Sequence, residues 1–228
     1  MTNHAQRTAV LLGASGLVGG FCLRALVDDP VYDHVTALNR RAPTLPAHRK
    51  LAQKVANFEA LLPADFQGAD DIFCALGTTI RKAGSQEAFR RVDIQYPLMA
   101  AKAAKQAGAT QFVLVSSVGA DPASKNFYLR TKGEVERELA SVGFGALHIV
   151  RPSLLLGKRE EFRMAERIMM TVGPAFNLAM IGGLRRYRAI SAAVVGKAMV
   201  AAARQGKTGT FVYEFDEIVD LAGAAKKS

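Results

Sequence analysis

The sequence predicts an α/β domain built on a doubly wound parallel sheet, and three observations predict it. Short apolar runs recur along the chain, segments of helical period lie between them, and the first junction carries glycines at Gly13, Gly16 and Gly19. With 228 residues, half of them hydrophobic, the chain is long enough to bury one large core.

"TAVLLGA", from Thr8, reads as a buried strand, and "LVGGFCLRALVDD" follows as a helix with Leu17, Phe21, Leu23 and Leu26 near helical spacing. "HVTALNR" is a second short strand that ends in charge. A third lies within "HRKLAQKVANFEAL", and "DDIFCALG" is a fourth, of buried type, ending at Gly77 before a loop from Thr78 to Ser85. "QEAFRRVDIQYPLMAAKAAKQAGA" has helical period and stops at Gly108, where "TQFVLVSSVGA" begins a strand rich in branched residues. "FYLRTKGEVERELASVGF" is helical again, and "GALHIVRPSLLLG" supplies a sixth strand.

Past Gly157 the texture changes to a Met- and Arg-rich stretch, "KREEFRMAERIMMTVGPAFNLAMIGGLRRYRAI". A helix-like "SAAVVGKAMVAAARQG" and a last strand, "GTFVYEFDEIV", then close the chain. No glycine-bounded boundary sets this part apart. Residues 1–228 are therefore read as a single domain, with 158–228 contributing a substrate-side cap and the last strand.

Thirty Lys and Arg against 20 Asp and Glu leave a net charge of +10, which attracts phosphorylated ligands, nucleic acid or anionic membrane. Cys22 and Cys74, the only cysteines, sit in apolar segments as reduced thiols do, which excludes a disulfide framework and points to a cytoplasmic location. The four histidines show no metal-ligand spacing, and no metal is expected. Thr8 to Leu23 is uncharged and imitates the apolar part of a signal peptide, but its glycine spacing argues against that. Elsewhere the longest charge-free apolar stretch, Val172 to Leu184, falls short of the ~20 residues that a membrane-spanning helix needs.

Three glycines after a strand have distinct uses. The first turns the chain off the strand, the second lets backbone approach a pyrophosphate, and the third lets helix pack on strand, with the ligand's charge at the helix N-terminus. Gly13, Gly16 and Gly19 fit these roles, the plainer alternative being a tight strand-to-helix turn with no ligand. At the end of the second strand, where an acid would accept hydrogen bonds from the ribose of NAD, stand Asn39, Arg40 and Arg41. Paired guanidinium groups favour the extra phosphate of NADPH over NADH, the alternative being a solvated basic turn. Tyr128 and Lys132, four residues apart, share a helix face. A phenol is a weak acid–base group at neutral pH, but a neighbouring ammonium and an oxidised nicotinamide favour its phenolate. Ser116 and Ser117 end the preceding strand, the edge at which open α/β sheets bind ligands.

Glycine turn, Ser, Tyr and Lys in this order resemble the short-chain dehydrogenase/reductase superfamily, in its extended or atypical branch with a GxxGxxG turn. Over most of Thr8 to Gly157, "LGASGLVGG", "NRR", "CALGTT", "RKAG", "RVDIQYP", "VLVSSVGAD", "FYLRTKGEVE" and "RPSLLLG" together look like the Tat-interacting-protein family of small NADPH-binding reductases. The resemblance implies a Rossmann-type fold and NADPH-dependent hydride transfer to or from a carbonyl or alcohol, with NAD less favoured. It gives Gly13, Ser15, Gly16, Leu17, Val18 and Gly19 to the pyrophosphate loop and Arg40 and Arg41 to the phosphate on the adenosine ribose. Ala75, Leu76 and Gly77 would line the adenine and ribose path. Tyr128 would donate or accept the proton, Lys132 would hold the nicotinamide ribose and favour the phenolate, and Ser117 would orient a substrate carbonyl. Pro152 and Ser153 would approach the nicotinamide amide.

Three positions depart from that pattern. Leu12 replaces the usual Thr or Gly before the first glycine. Ser117 stands so close ahead of Tyr128 that Ser116 or Ser124 could replace it. Asp93 stands where many extended members carry Asn.

Other readings use the same residues differently. An NADPH-binding regulator would report cofactor redox state to a protein partner and keep the Tyr and Lys as scaffold. Residues 158–188, with "EEFRMAERIMM", could make peripheral contact with an anionic membrane, although a cap helix whose Met face admits a small apolar substrate is favoured. Nucleic acid is disfavoured, because the chain lacks Trp and carries only 7% aromatic residues for stacking. Apolar helices in this architecture serve a monomer or a homodimer equally.

Overall fold

The computed structural model of the chain describes residues 6–42, 45–156 and 182–224. Its centre is a seven-stranded sheet of β1 (Arg7–Leu12), β2 (Tyr32–Asn39), β3 (Leu51–Val55), β4 (Asp71–Cys74), β5 (Gln111–Val115), β6 (Ala146–Val150) and a late strand, Gly209–Tyr213. All neighbouring pairs are parallel, in the order β3-β2-β1-β4-β5-β6 followed by the late strand. Two two-residue strands, β7 (Leu155–Leu156) and β8 (Ile190–Ser191), pair apart from the sheet, so the late strand is β9.

Parallel strands buried on both faces read as unbroken apolar runs, and alternate residues divide between two cores. In β1, Ala9 and Leu11 face one core, and Val10 and Leu12 face the other. The first core packs against α1 (Leu17–Asp28) through Cys22, Leu23 and Leu26, and against two C-terminal helices, α6 (Ala192–Ala203) and α7 (Phe215–Ala224), through Val195 and Ile218. Between these in sequence come α2 (Ile80–Ala83), α3 (Gln86–Arg90), α4 (Tyr96–Gln106) and α5 (Phe127–Ala140). The second core lies under α4 and α5, with Leu98, Ala101, Val135 and Leu139 buried.

Strand order reverses direction at β1, whose neighbours are β2 and β4. In open α/β sheets the crevice at the carboxyl ends of such strands is the ligand position. The first six predicted strands all form, and the structure departs from expectation in three places. The expected loop from Thr78 to Ser85 contains α2, because the Thr79 hydroxyl caps it by accepting from the Lys82 N–H at 3.2 Å. The expected single helix after Ser85 is broken by a π turn at Arg91–Gln95, in which the Tyr96 N–H donates to the Arg91 carbonyl. That wider turn precedes Pro97 and buries Asp93.

The last correction concerns "GTFVYEFDEIV", which is a strand only as far as Tyr213. From Phe215 it is helix, with Asp216 and Glu217 in the first turn and Ile218, Leu221 and Ala222 buried at helical spacing. Residues 182–224 thus supply a sheet strand and two packing helices. The expected membrane-facing or cap stretch lies largely outside the described residues, and among the described residues no helix is long and apolar enough to cross a membrane.

Candidate active site

The site starts where β1 ends. Gly13 turns the chain at φ +87°, and the Gly16 N–H donates to the Gly13 carbonyl at 2.8 Å, closing the turn. Gly16 is the N-cap of α1. Among the described residues no side chain caps α1 and no acid lies in its first turn, the arrangement that receives an anion at the positive end of a helix dipole. Gly19 packs against the turn so tightly that a Cβ built on it would lie 1.9 Å from the Gly13 carbonyl oxygen.

Gly13, Ser15 and Gly16 line a cleft of about 780 Å³. Leu17, Val18 and Gly19 stand behind it: Val18 is buried in the core, and Leu17 lines a separate groove between α1 and residues 45–51. Across the cleft, Ala75, Leu76 and Gly77 form the wall beyond β4. Arg40 and Arg41 stand exposed at the rim, past the end of β2. The Arg40 guanidinium lies 5.7 Å from the centroid of the Tyr96 ring, which meets Phe58 edge-on. The Tyr96 hydroxyl donates to Glu59 at 3.4 Å, so the arginine rests on an anchored ring.

Lys82 also lines this cleft and was missed from the sequence. Its signal was present in "RKAG" directly after the fourth strand, but a segment read as loop gave no reason to aim it inward. With Arg40 and Arg41 it makes three cations around one opening, the electrostatic character that suits a phosphorylated ligand.

The Tyr–Lys face comes from α5, whose N-cap Asn126 accepts from the Leu129 N–H at 3.1 Å. Tyr128 is half-buried, with its ring 5.9 Å from the Lys132 ammonium and 5.9 Å from the Phe89 ring. Lys132 is only 5% exposed, and its Nζ lies 2.7 Å from Asp93 Oδ1. Burial opposes the charge on Lys132, but the Asp93 carboxylate, with help from Tyr128, outweighs it and holds the ammonium pKa above its ordinary value. The other carboxylate oxygen of Asp93 accepts from the Thr78 N–H at 3.1 Å.

The three candidate serines separate clearly. Ser116 is buried and donates to the Glu136 carboxylate, which also receives the Arg151 Nε at 3.0 Å. Ser124 accepts from the Asn126 N–H at 3.2 Å in the turn before α5. Ser117 is half-buried past the end of β5, and its hydroxyl makes a long 3.4 Å contact with the Val118 carbonyl. Pro152 is brought beside this strand end, accepting from the Val118 N–H at 3.0 Å, whereas the Ser153 hydroxyl donates to the Arg188 carbonyl.

Tyr128, Lys132, Ser117, Pro152 and Ser153 do not line the 780 Å³ cleft. They lie at the same carboxyl edge of the sheet, beyond Gly77. A Cβ on Gly77 would fall 3.7 Å from Asp93 Oδ1 and 4.0 Å from Lys132 Nζ, so this residue joins the two halves of the site. Arg185 and Arg186, considered above for membrane contact, pair with Asp216 at 2.8 Å and Glu214 at 3.9 Å. His148 is buried between the Tyr213 hydroxyl and Gln111; burial, with Lys207, lowers its pKa to about 4, which keeps the ring neutral at pH 7.

Comparison with known proteins identifies the family and the fold. The family model described as NAD(P)H-binding matches residues 13–206. Protein HTATIP2 of Rattus norvegicus is 42% identical over 166 residues, covering 71% of this chain and 68% of its own length. The protein FMP52, mitochondrial, of Candida albicans is 32% identical over 225 residues, covering 94% of this chain and 97% of its own. Among solved structures, MoeE5 in complex with UDP-glucose and NAD superposes with a TM-score of 0.69 at 17% identity, covering 96% of this chain and 82% of that one. The dTDP-glucose 4,6-dehydratase DesIV from Streptomyces venezuelae gives 0.68 at 16% identity, over 96% and 80%.

Proposed function

The chain belongs to the NAD(P)H-binding family, as a homologue of protein HTATIP2 and the FMP52 proteins, and from that premise we propose that it is an NADPH-dependent oxidoreductase. It would transfer a hydride to or from the carbonyl or alcohol carbon of a small, apolar substrate. The observation that carries this reading is the cleft itself, with the uncapped start of α1 at one end and Arg40, Arg41 and Lys82 around its opening. The three-glycine turn fits a diphosphate because backbone, not side chain, forms its wall.

Bound NADPH would supply the hydride. Gly13, Ser15 and Gly16 would hold the diphosphate, and Arg40 and Arg41 would take the phosphate on the adenosine ribose. The Tyr128 hydroxyl would exchange the proton with the substrate oxygen, Ser117 would donate a hydrogen bond to the same oxygen, and Lys132 would hold the nicotinamide ribose. Pro152 would border the nicotinamide, whereas Ser153 would have to give up its bond to the Arg188 carbonyl to reach it. The nucleotide sugars belong to the solved neighbours; at 17% and 16% identity the likeness carries the fold alone. Cys22 and Cys74, buried and unbridged, suit a reducing compartment such as the cytoplasm, while the fungal relatives carry "mitochondrial" in their names.

Replacing Arg40 and Arg41 together by alanine should weaken NADPH binding by about ten- to a hundredfold, because charge-assisted hydrogen bonds to phosphate contribute roughly 1.5–3 kcal/mol. NADH binding should change by less than about threefold, and titration of both coenzymes into the double variant checks it. A panel of carbonyl compounds followed by NADPH consumption tests the enzymatic reading. Turnover of any of them, reduced in Tyr128→Phe, supports it; a folded, NADPH-binding protein that turns over none and retains a protein partner in pull-down favours the regulatory alternative.

A further inference from the structure

The helix α1 carries more apolar surface than the core uses. Val18, Cys22 and Leu26 are buried against the sheet, as one stripe of an amphipathic helix requires. Leu17 and Phe21, on the adjoining stripe, are only half-buried, and they face Leu45 and Leu51 across a groove of about 580 Å³. Small-ligand sites span roughly 300–1,000 Å³ and combine a mostly apolar lining with a few placed polar groups. This groove has both properties.

Its polar side chains are Arg24, Asp28 and His48. Among the described residues Arg24 has no ion-pair partner, and its guanidinium lies 6.0 Å from the centroid of the Phe21 ring, along the apolar wall. On the other wall His48 Nδ1 accepts the Lys50 N–H at 3.2 Å, so the neutral ring carries its proton on Nε2 as a donor. Asp28 stands one turn beyond Arg24, at the C-terminal end of α1, and repels a negative group there. The charges therefore give the groove a direction: an acid is received by Arg24 and His48, and an apolar body runs from it past Phe21 and Leu17 towards Leu45.

We propose that this groove is a second ligand site, distinct from the dinucleotide cleft, for a small amphiphilic anion: an apolar chain or ring system bearing one carboxylate or sulfonate. Gly16, Gly20 and Leu45 line both spaces, so its ligand lies beside the coenzyme position, yet it uses none of Arg40, Arg41 and Lys82. The inference goes beyond the hydride-transfer reading and does not depend on it.

The probe is anilinonaphthalene sulfonate, whose emission rises in apolar surroundings, titrated into the full chain without coenzyme. The uncharged N-phenylnaphthylamine runs alongside, and the chain has no Trp whose emission would interfere. One saturable site per chain is expected, with the sulfonate bound about tenfold more tightly than the neutral probe. Arg24→Glu should weaken the sulfonate by about tenfold or more and leave the neutral probe within about twofold. Lys102→Glu makes the same change of net charge on α4, on the opposite face of the sheet, and should leave both probes within about twofold. Should Arg24→Glu fail to fold, Arg24→Gln is read in its place, with a loss of at least about threefold.

Decanoate and naphthoate are then competed against the sulfonate. Displacement by either supports the site and tells a chain from a ring; displacement by neither overturns it. The absence of a saturable site, or equal losses in the Arg24 and Lys102 variants, also overturns it. So does a probe that NADPH displaces but that ignores Arg24→Glu, because such a probe sits in the dinucleotide cleft. Arg24-dependent binding by a chain that takes up neither coenzyme would leave the groove standing while the proposed function fell.

Discussion

Gly19→Ala should abolish cofactor binding, with affinity for NADPH falling more than about a hundredfold. A Cβ at this position would lie 1.9 Å from the Gly13 carbonyl oxygen and 2.6 Å from the Gly13 carbonyl carbon. Both contacts are to backbone and no rotamer relieves them, so α1 or the turn must move. Movement of either displaces the amides that would meet the diphosphate, and misplacement by an ångström is enough to remove most of the benefit of a preorganised site. The neighbouring residue provides the control. A Cβ on Gly20 has its nearest contact at 3.6 Å, from the Ala14 carbonyl oxygen, which is ordinary packing. Gly20→Ala should therefore fold, bind NADPH within a few-fold of the parent, and gain up to about 1 kcal/mol of helix stability. Equilibrium titration of both variants, with thermal melts alongside, separates the two outcomes.

Tyr128→Phe should lower turnover by about 10²- to 10⁴-fold, the range that a positioned proton donor contributes. NADPH affinity should stay within about threefold, because the ring keeps its packing against Phe89 and only the hydroxyl is lost. The measurement is kcat on any carbonyl that the parent reduces, with coenzyme affinity determined separately. Equal turnover in parent and variant would remove Tyr128 from the chemistry. Equal losses of turnover and coenzyme affinity would point to a structural role instead.

Much of this architecture was legible because its signals are local. Five of the first six strands announced themselves as apolar runs, β3 with Gln53 and Lys54 being the exception, and Gly13, Gly16 and Gly19 revealed their turn because left-handed backbone and close helix packing leave few other residue types possible. The C-terminal end misled because "FVYEFDEIV" satisfies strand alternation at first, whereas Ile218, Leu221 and Ala222 are buried by a helix that lies on the sheet. Lys82 was hidden because α2 is one turn long and capped by a single threonine.

The pairings within the site could not be read at all. Lys132 and Asp93 are brought together by the π turn and by the packing of α5, and neither residue's neighbours in sequence indicate the other. Likewise, adjacent Ser116 and Ser117 are equivalent in sequence. Only strand alternation turns Ser116 inward to Glu136 and Arg151 and leaves Ser117 at the sheet edge.

The start of α1 and the cations at Arg40, Arg41 and Lys82 are together expected to bind a phosphorylated dinucleotide. Calorimetric titration of NADPH, and separately of NADH, into the folded full chain tests it most directly. Saturable binding of one NADPH per chain, tighter than NADH by about tenfold or more, is the predicted result. No heat and no saturation with either coenzyme would contradict it.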